Sequence, residues 1–500
     1  MSNVSHILVG GAWRDADASD TFQPVNPATG DVIGPTFPVS RWSDVDAALA
    51  AAEEAFEQMD GGDPETFAGF LDAYADGIDA NADDLADIAS QETALPAPTR
   101  LKSVEIPRTS NQLRLSAAAA RDGGWALPTI DKEQGVRSMH CAIGPVAVFG
   151  PNNFPFAYNG ICGGDFAAAV AAGNPVIAKA HPLHPETTRR LGVIAKEALD
   201  ASRLPSAAVQ LLYHISNDDG LRLARDPRLA AIGFTGSKRG GLALKAAADD
   251  VGTPAYLELG SINPVVLMPA AMKQRGGEIA EQYSQSCLLG VGQFCTNPGL
   301  VFVTAGGEAD AFLETVRKAF ADADADTLFG KASADGLLDA IGKLTSAGAE
   351  VLTGGERVGE AQVTGTLLRV DGSTFLANAE ALQTEAFGPS GLVVVCDSVD
   401  QIVECLRHVE GNLTGSLYAD DGDDYETVER VLRRRVGRLI NDKMPTGVAV
   451  SPAMNHGGPF PASGHAGFTA VGPPATLRRF SQLRCYDNVR EDRLPAALRD

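Results

Sequence analysis

The sequence lacks the marks of several common protein classes. It has no long hydrophobic run. A membrane-spanning helix needs roughly 18 consecutive apolar residues, and the most apolar segment, Cys141 to Pro151, is short and broken by Gly144, Gly150 and two prolines. It has no excess of basic residues. Lys and Arg number 41 against 64 Asp and Glu, a net charge of −23. That excludes a non-specific grip on nucleic acid or on an anionic membrane, because phosphate contacts need a basic patch. It has few cysteines: seven in 500 residues, odd in number and scattered, with no CxxC pair. This pattern reads as free thiols in a reducing compartment, not as a disulfide framework. The first residues carry no basic segment followed by an apolar run, so no signal peptide is expected, and a cytoplasmic location is. The GxGxxG fingerprint is missing from the whole chain, which excludes a standard Rossmann phosphate loop. The eight histidines are dispersed, with no HxxxH pair, and no zinc or other metal is expected.

What is present is a soluble globular composition, 44% apolar and 21% charged, long enough for two to four domains. The first ~20 residues alternate around Gly10-Gly11 as a small hairpin. Ser43 to Asp60, behind a Ser cap, and Pro64 to Leu95 carry helical spacing, and Ser103 to Ala120 predicts a further helix. Turn residues between two extended runs make Trp125 to His140 a protruding hairpin. From Cys141 apolar strands and helices alternate. Strands are expected at 141–151, 175–179, 209–212 and 230–234, with helices at 164–173 and 186–201 between them. Alternation of this kind means a parallel sheet with crossover helices, whose ligands bind at the carboxyl ends of the strands. A second strand–helix series begins near Leu257, with strands at 264–267, 300–303, 391–395 and 438–440. The acidic runs at 321–326 and 420–424 read as solvated loops.

Several residues can carry chemistry, and each has a plainer reading. Cys295 sits in Gly290-Val-Gly-Gln-Phe-Cys-Thr-Asn-Pro-Gly, where glycines bring backbone N–H groups close to a thiol. A nucleophile needs such access and oxyanion donors, yet cysteine is often just a small buried hydrophobe. Asn152 and Asn153 follow a strand, where an amide can hold an oxyanion or simply form a turn. Glu258 ends an apolar stretch before Gly260; a desolvated carboxylate there suits general base work, or pairs with a cation at a domain junction. Gly236 and Ser237 open a helix after a strand, a place for pyrophosphate on free N–H groups. Lys179 ends a strand, where a cation can meet a cofactor hydroxyl or phosphate or only water. Glu385-Ala-Phe387-Gly-Pro is a compact acid–aromatic turn.

In this order the elements resemble the aldehyde dehydrogenase superfamily. The resemblance rests on Pro151-Asn-Asn-Phe-Pro, Ala171 to Lys179, Phe234 to Gly241, Leu257-Glu-Leu-Gly, Gly292-Gln-Phe-Cys295 and Glu385 to Pro389, and it spans nearly the whole chain. Ala178-Lys-Ala-His-Pro, Gly292 to Gly299, Pro445-Thr-Gly-Val and His456-Gly-Gly-Pro-Phe-Pro-Ala look like the 2-oxoglutarate semialdehyde (2,5-dioxopentanoate) dehydrogenase branch. The NADP-dependent long-chain aldehyde dehydrogenases of bacteria share part of the pattern.

The resemblance implies an α/β fold of two Rossmann-like parallel-sheet domains with a small β oligomerisation element. An NAD(P)-binding domain would take residues 1–122 and 143–257, a catalytic domain 258–482, and the oligomerisation element 123–142 and 483–500. It implies oxidation of 2,5-dioxopentanoate to 2-oxoglutarate through a cysteine thiohemiacetal and thioester. Cys295 would be the nucleophile, Asn153 the oxyanion donor and Glu258 the base, with Lys179 assisting. Cofactor contacts would come from Lys179, His181, Gly236, Ser237, Gly241, Glu385, Phe387 and Phe154. The assembly would be a homodimer or homotetramer. Two other readings stand beside this one: oxidation of long-chain aliphatic or other aldehydes, and a catalytically silent binding protein on the same fold. One departure bears on the cofactor. Three residues after Lys179, many NAD-specific members carry a Glu for the adenosine 2′-hydroxyl; here it is Pro182. Without that carboxylate a 2′-phosphate is not repelled, so NADP is expected, with NAD possible. Arg100, Arg108 and Arg114 are candidates for the carboxylate of a semialdehyde acid.

Overall fold

The computed structural model describes residues 4–499; residues 1–3 and 500, the outer ends of the first and last predicted segments, lie outside it. The continuous apolar runs form the centre of a seven-stranded sheet. Across it lie Ala255–Glu258, Ala231–Thr235, Val146–Phe149, Val176–Lys179 and Val209–Leu212, all parallel, then Ile7–Val9 and Ala12–Arg14, both antiparallel. Strands of this type are buried on both faces, which is why they read as unbroken apolar runs. Their crossover helices follow the same logic. Gly164–Ala171 is small-residued and almost wholly buried, so it fits close against the sheet. Pro185–Asp200 is amphipathic and begins with a proline, whose missing N–H costs nothing there.

A second seven-stranded sheet follows. Its order is Glu350–Thr353, Thr366–Asp371, Ser390–Cys396, Leu300–Thr304, Val265–Leu267, Asn412–Tyr418 and Val436–Asn441, parallel except for the first edge strand. Separate apolar clusters cover its two faces. A third, antiparallel sheet joins distant segments: Ser481–Asp487 pairs with Val136–Ala142, which pairs with Thr129–Asp131. The fold is α/β.

Two local expectations are corrected. The helix predicted from Ser103 is preceded by a π-helical stretch, Ala97–Glu105, and regular α-helix runs from Ile106 to Asp122. Ser43 does not cap its helix. The helix starts at Trp42, and the Ser43 hydroxyl donates instead to the Asp17 carboxylate at 2.7 Å. All seven cysteines are free thiols. Among the described residues no helix is long and apolar enough to cross a membrane.

Candidate active site

The Ala255–Glu258 strand delivers Glu258 to the carboxyl edge of the first sheet, and the main chain around it is held on both sides. Gly236 N–H donates to the Glu258 carbonyl at 3.1 Å, and Leu259 N–H donates to the Ala462 carbonyl at 2.9 Å. The Glu258 side chain is 1% exposed. The neighbouring Val146–Phe149 strand leads through Pro151 to Asn153, also buried. The Pro151 carbonyl is fixed by the His184 ring at 3.0 Å. Asn153 Nδ2 donates to the Gln293 carbonyl at 3.0 Å, tying this edge to the loop that carries the thiol.

That loop is held in an unusual backbone. Gly290, Val291 and Gly292 all have positive φ, +57°, +58° and +66°. A valine there is a genuine outlier, since its branched side chain crowds the left-handed conformation. Gly292 admits no side chain, because a Cβ would overlap the Gly388 carbonyl. Asn263 Nδ2 then donates to the carbonyls of Cys295 (2.8 Å) and Asn297 (2.9 Å). Asn263 is itself anchored by Thr414 and Asn412. The thiol is thus positioned by buried amides that come from the second sheet.

Cys295 Sγ lies 3.4 Å from His456 Nε2, and the same nitrogen lies 3.3 Å from Glu258 Oε2. His456 is 1% exposed, its backbone held by Thr469. This residue corrects the expectation that histidines form no site. The chain brings one of them, with a thiol and a carboxylate, into a cluster that can ligate a metal. Only the motif His456-Gly-Gly-Pro pointed to it in sequence. Burial pushes the Cys295 thiol pKa well up, the nearby Glu258 charge adds to this, and Arg108 opposes it.

A cleft of about 250 Å³ opens beside the thiol, lined among others by Asn153, Gly236, Ser237, Glu258, Cys295, Glu385 and Phe387. Ser237 caps the Lys238–Asp249 helix, accepting from Gly240 N–H, so the positive helix end meets the cleft. Glu385 accepts from Ser261 N–H at 3.2 Å and lies so close to Gly260 that a Cβ there would overlap the carboxylate. Burial pushes the Glu385 pKa up to about 7.

The remaining predicted residues stand elsewhere. Lys179 ends the adjacent strand, His181 follows it, and both are outside the lining of the cleft. Lys179 is in register with Phe149, and the His181 ring stacks on His184. Gly241 is a packing residue, since a Cβ would collide with Leu259 and the Phe234 ring. Phe154, a cofactor candidate in the sequence, is not among the residues lining the cleft. It packs edge-on against Tyr158 (5.2 Å) and Phe294 (5.7 Å), under the Arg100 guanidinium at 4.7 Å. Of the three arginines, Arg114 is tied to Asp76 and Asp79 on the surface. Arg108 reaches the Val448 carbonyl (3.0 Å) and the Tyr158 hydroxyl (3.1 Å). Arg438, which sequence reasoning missed, donates to Pro445 and Gly447 carbonyls in the same loop.

A family model described as the aldehyde dehydrogenase family matches residues 13–484. The chain belongs to the aldehyde dehydrogenase family. It is 39% identical to alpha-ketoglutaric semialdehyde dehydrogenase 2 of Azospirillum brasilense, over 100% of this chain and 97% of that one. It is 34% identical to alpha-ketoglutaric semialdehyde dehydrogenase of Acinetobacter baylyi, over 97% and 94%. Among solved structures it resembles the NAD+ complex of aldehyde dehydrogenase from Bacillus cereus, with a TM-score of 0.80, 21% identity and 96% of each chain covered. It also resembles PnpE in complex with nicotinamide adenine dinucleotide, with a TM-score of 0.81, 22% identity and 97% of each chain covered. The enzyme is an aldehyde dehydrogenase of a family that uses NAD(P).

Proposed function

We propose that the enzyme oxidises 2,5-dioxopentanoate to 2-oxoglutarate. The observation that carries this reading is the pair of guanidinium groups, Arg108 and Arg438, whose charges both act at the Cys295 thiol while they grip the loop 445–448 beside it. A substrate with a reactive aldehyde at one end and a carboxylate at the other fits a thiol that feels the charge of two cations. The two alpha-ketoglutaric semialdehyde dehydrogenases it resembles support the same reading. A long aliphatic chain needs an apolar funnel, and here arginines lie over the aromatic rings of that side.

The thiol is half-buried and hard to ionise, so it needs a proton acceptor, and His456 Nε2 is placed to take the proton. The Cys295 sulfur then adds to the aldehyde carbon. The oxyanion is held by the Cys295 N–H and by the second N–H of the Asn153 amide, whose first is held by Gln293. Gly236, Ser237 and Glu385 would hold the dinucleotide, whose nicotinamide would supply the hydride acceptor, and Cys295 would then carry the thioester. Glu258, at the same wall of the cleft, draws a proton from water, which hydrolyses the thioester and frees the acid.

The cleft fits a dinucleotide: Gly236 and Ser237 offer a helix N-terminus for pyrophosphate, and Glu385 offers a carboxylate for a ribose hydroxyl. NADP preference rests on Pro182 and on Lys179, whose ammonium makes no hydrogen bond or ion pair among the described residues. His181 contributes no charge. Burial holds its pKa well down, and its Nδ1 already accepts the Leu183 N–H. The third sheet, with Leu483 65% exposed, is the oligomerisation element of a dimer or tetramer; sedimentation as a monomer would refute that part.

The main test is reduced-nicotinamide formation with 2,5-dioxopentanoate, succinic semialdehyde and decanal, each with NAD and NADP, and with Cys295→Ala as blank. The highest kcat/KM is expected for 2,5-dioxopentanoate. Preference for decanal would overturn the substrate reading, and strict NAD use the cofactor reading.

A further inference from the structure

The pocket holds three side chains of the kind that bind soft and borderline divalent cations: a thiol, an imidazole and a carboxylate. Their ligand atoms all lie within 4.8 Å of one another. Cys295 Sγ is 3.4 Å from His456 Nε2, which is 3.3 Å from Glu258 Oε2. Tetrahedral zinc, with Zn–S of about 2.3 Å and Zn–N and Zn–O of about 2.0–2.2 Å, places S and N about 3.5 Å apart and N and O about 3.4 Å apart. These two separations meet those values, and the third pair, Cys295 Sγ and Glu258 Oε2, lies within 4.8 Å.

The hydrogen bonding of the apo pocket is incomplete in the same place. One imidazole nitrogen faces both a thiol and a carboxylate, and it carries at most one proton. Glu258 Oε2 makes no hydrogen bond although the residue is 1% exposed. A cation between the three atoms satisfies all of them at once. Cys295 and Glu258 both line the cleft, so the fourth coordination position faces the space an aldehyde would occupy.

We propose that Cys295, His456 and Glu258 form a reversible inhibitory site for a zinc-class divalent cation. The metal binds the thiolate, the neutral imidazole and the carboxylate, and the thiol proton leaves to solvent. It withdraws the nucleophile and the base together. Magnesium and calcium are poor ligands for this set, because hard cations demand oxygen donors. His456 Nδ1 has no partner among the described residues. A zinc-binding histidine usually donates that N–H to an acceptor, and its lack weakens affinity. That is the property of a reversible site and not of a permanent structural one.

The site goes beyond the proposed oxidation, and its test needs no substrate. The full-length enzyme, freed of metal with chelator, is titrated with Co2+ and Zn2+ while the near-ultraviolet cobalt–thiolate band and the bound metal per chain are read. One metal per chain, a cobalt–thiolate band and full recovery with EDTA are expected. Cys295→Ala should abolish the band. His456→Gln and Glu258→Gln, each checked for folding by circular dichroism, should weaken binding at least tenfold. Magnesium should compete with neither metal. No band in the wild type, a band that survives in Cys295→Ala, or unchanged affinity in both other variants would overturn the site.

Discussion

The two seven-stranded sheets present opposite edges to the same cleft. On the first, the site residues follow the strands: Asn153 after Val146–Phe149, Ser237 after Ala231–Thr235, and Glu258 at the end of Ala255–Glu258. On the second they precede the strands: Asn263 before Val265–Leu267, Cys295 before Leu300–Thr304, and Glu385 before Ser390–Cys396. A carboxyl edge offers strand ends and a helix N-terminus, which suit an anionic cofactor. An amino edge offers chain about to enter a rigid core, which suits a nucleophile that must not move. The positive-φ turn at 290–292 and the Asn263 clamp are the means of that fixing.

The comparison is tested most severely by single substitutions on each edge. Cys295→Ala on the amino edge should lower kcat by about 10⁴-fold or more while the circular dichroism spectrum stays unchanged, because no other thiol among the described residues lines the cleft. Equal turnover would refute the nucleophile. Asn153→Ala on the carboxyl edge should cost about 10²–10³-fold in kcat, the usual price of one oxyanion donor. A fall in thermal stability with kcat intact would make Asn153 a clamp on Gln293 and nothing more.

Glu258→Gln separates the two chemical halves. Acylation of Cys295 should survive and hydrolysis should fail, so stopped-flow traces should show a burst of about one reduced nicotinamide per active site and then a turnover slowed roughly 10²–10⁴-fold. A slowed burst would place Glu258 at the thiol instead. Arg438→Met addresses the substrate side. Losing one charge-assisted hydrogen bond, worth about 1.5–3 kcal/mol, should raise KM for 2,5-dioxopentanoate roughly 10–100-fold. KM for decanal should stay within about threefold. Parallel changes for both substrates would show that Arg438 only holds the loop 445–448.

On the carboxyl edge, Asn153 and Glu258 each follow a strand into a turn, which has a plainer local reading, and it was their order with the other motifs that made them candidates. The amino-edge half was found through the resemblance and the glycine-flanked Cys295, since no period or turn rule marks chain that precedes a strand. The strand Asn412–Tyr418 shows why. It is buried throughout yet carries Asn412, Thr414 and Ser416, and these polar residues hid it from an apolar-run reading. Two of them are there to serve the site: Asn412 Oδ1 accepts the N–H groups of Ile262 and Asn263, and Thr414 donates to the Asn263 side chain. Arg438 was silent, and His456 was marked only by its motif, for a related reason. Each lies far along the chain from Cys295, and only tertiary folding makes it a neighbour.

The smallest expected effect concerns Lys179, a carboxyl-edge candidate outside the lining of the cleft. Burial lowers its pKa to about 8, because desolvation disfavours the ammonium. A bound anionic phosphate favours the charged form, so protonated enzyme should bind cofactor more tightly. The sign follows from linkage: affinity is at its full value below pH 8 and falls as the pH rises through it, by at most tenfold per pH unit. The cofactor Kd, followed by fluorescence titration between pH 6.5 and 9.5 and unconnected to turnover, should therefore be flat and then rise. Lys179→Met should bind more weakly at pH 7 and lose the bend, and the loss should be larger for NADP than for NAD if the ammonium meets the 2′-phosphate. A bend that persists in Lys179→Met would move the titration to Glu385, whose carboxyl, also held near neutrality at about 7, lines the cleft. The two are told apart by where the bend falls and by which variant removes it.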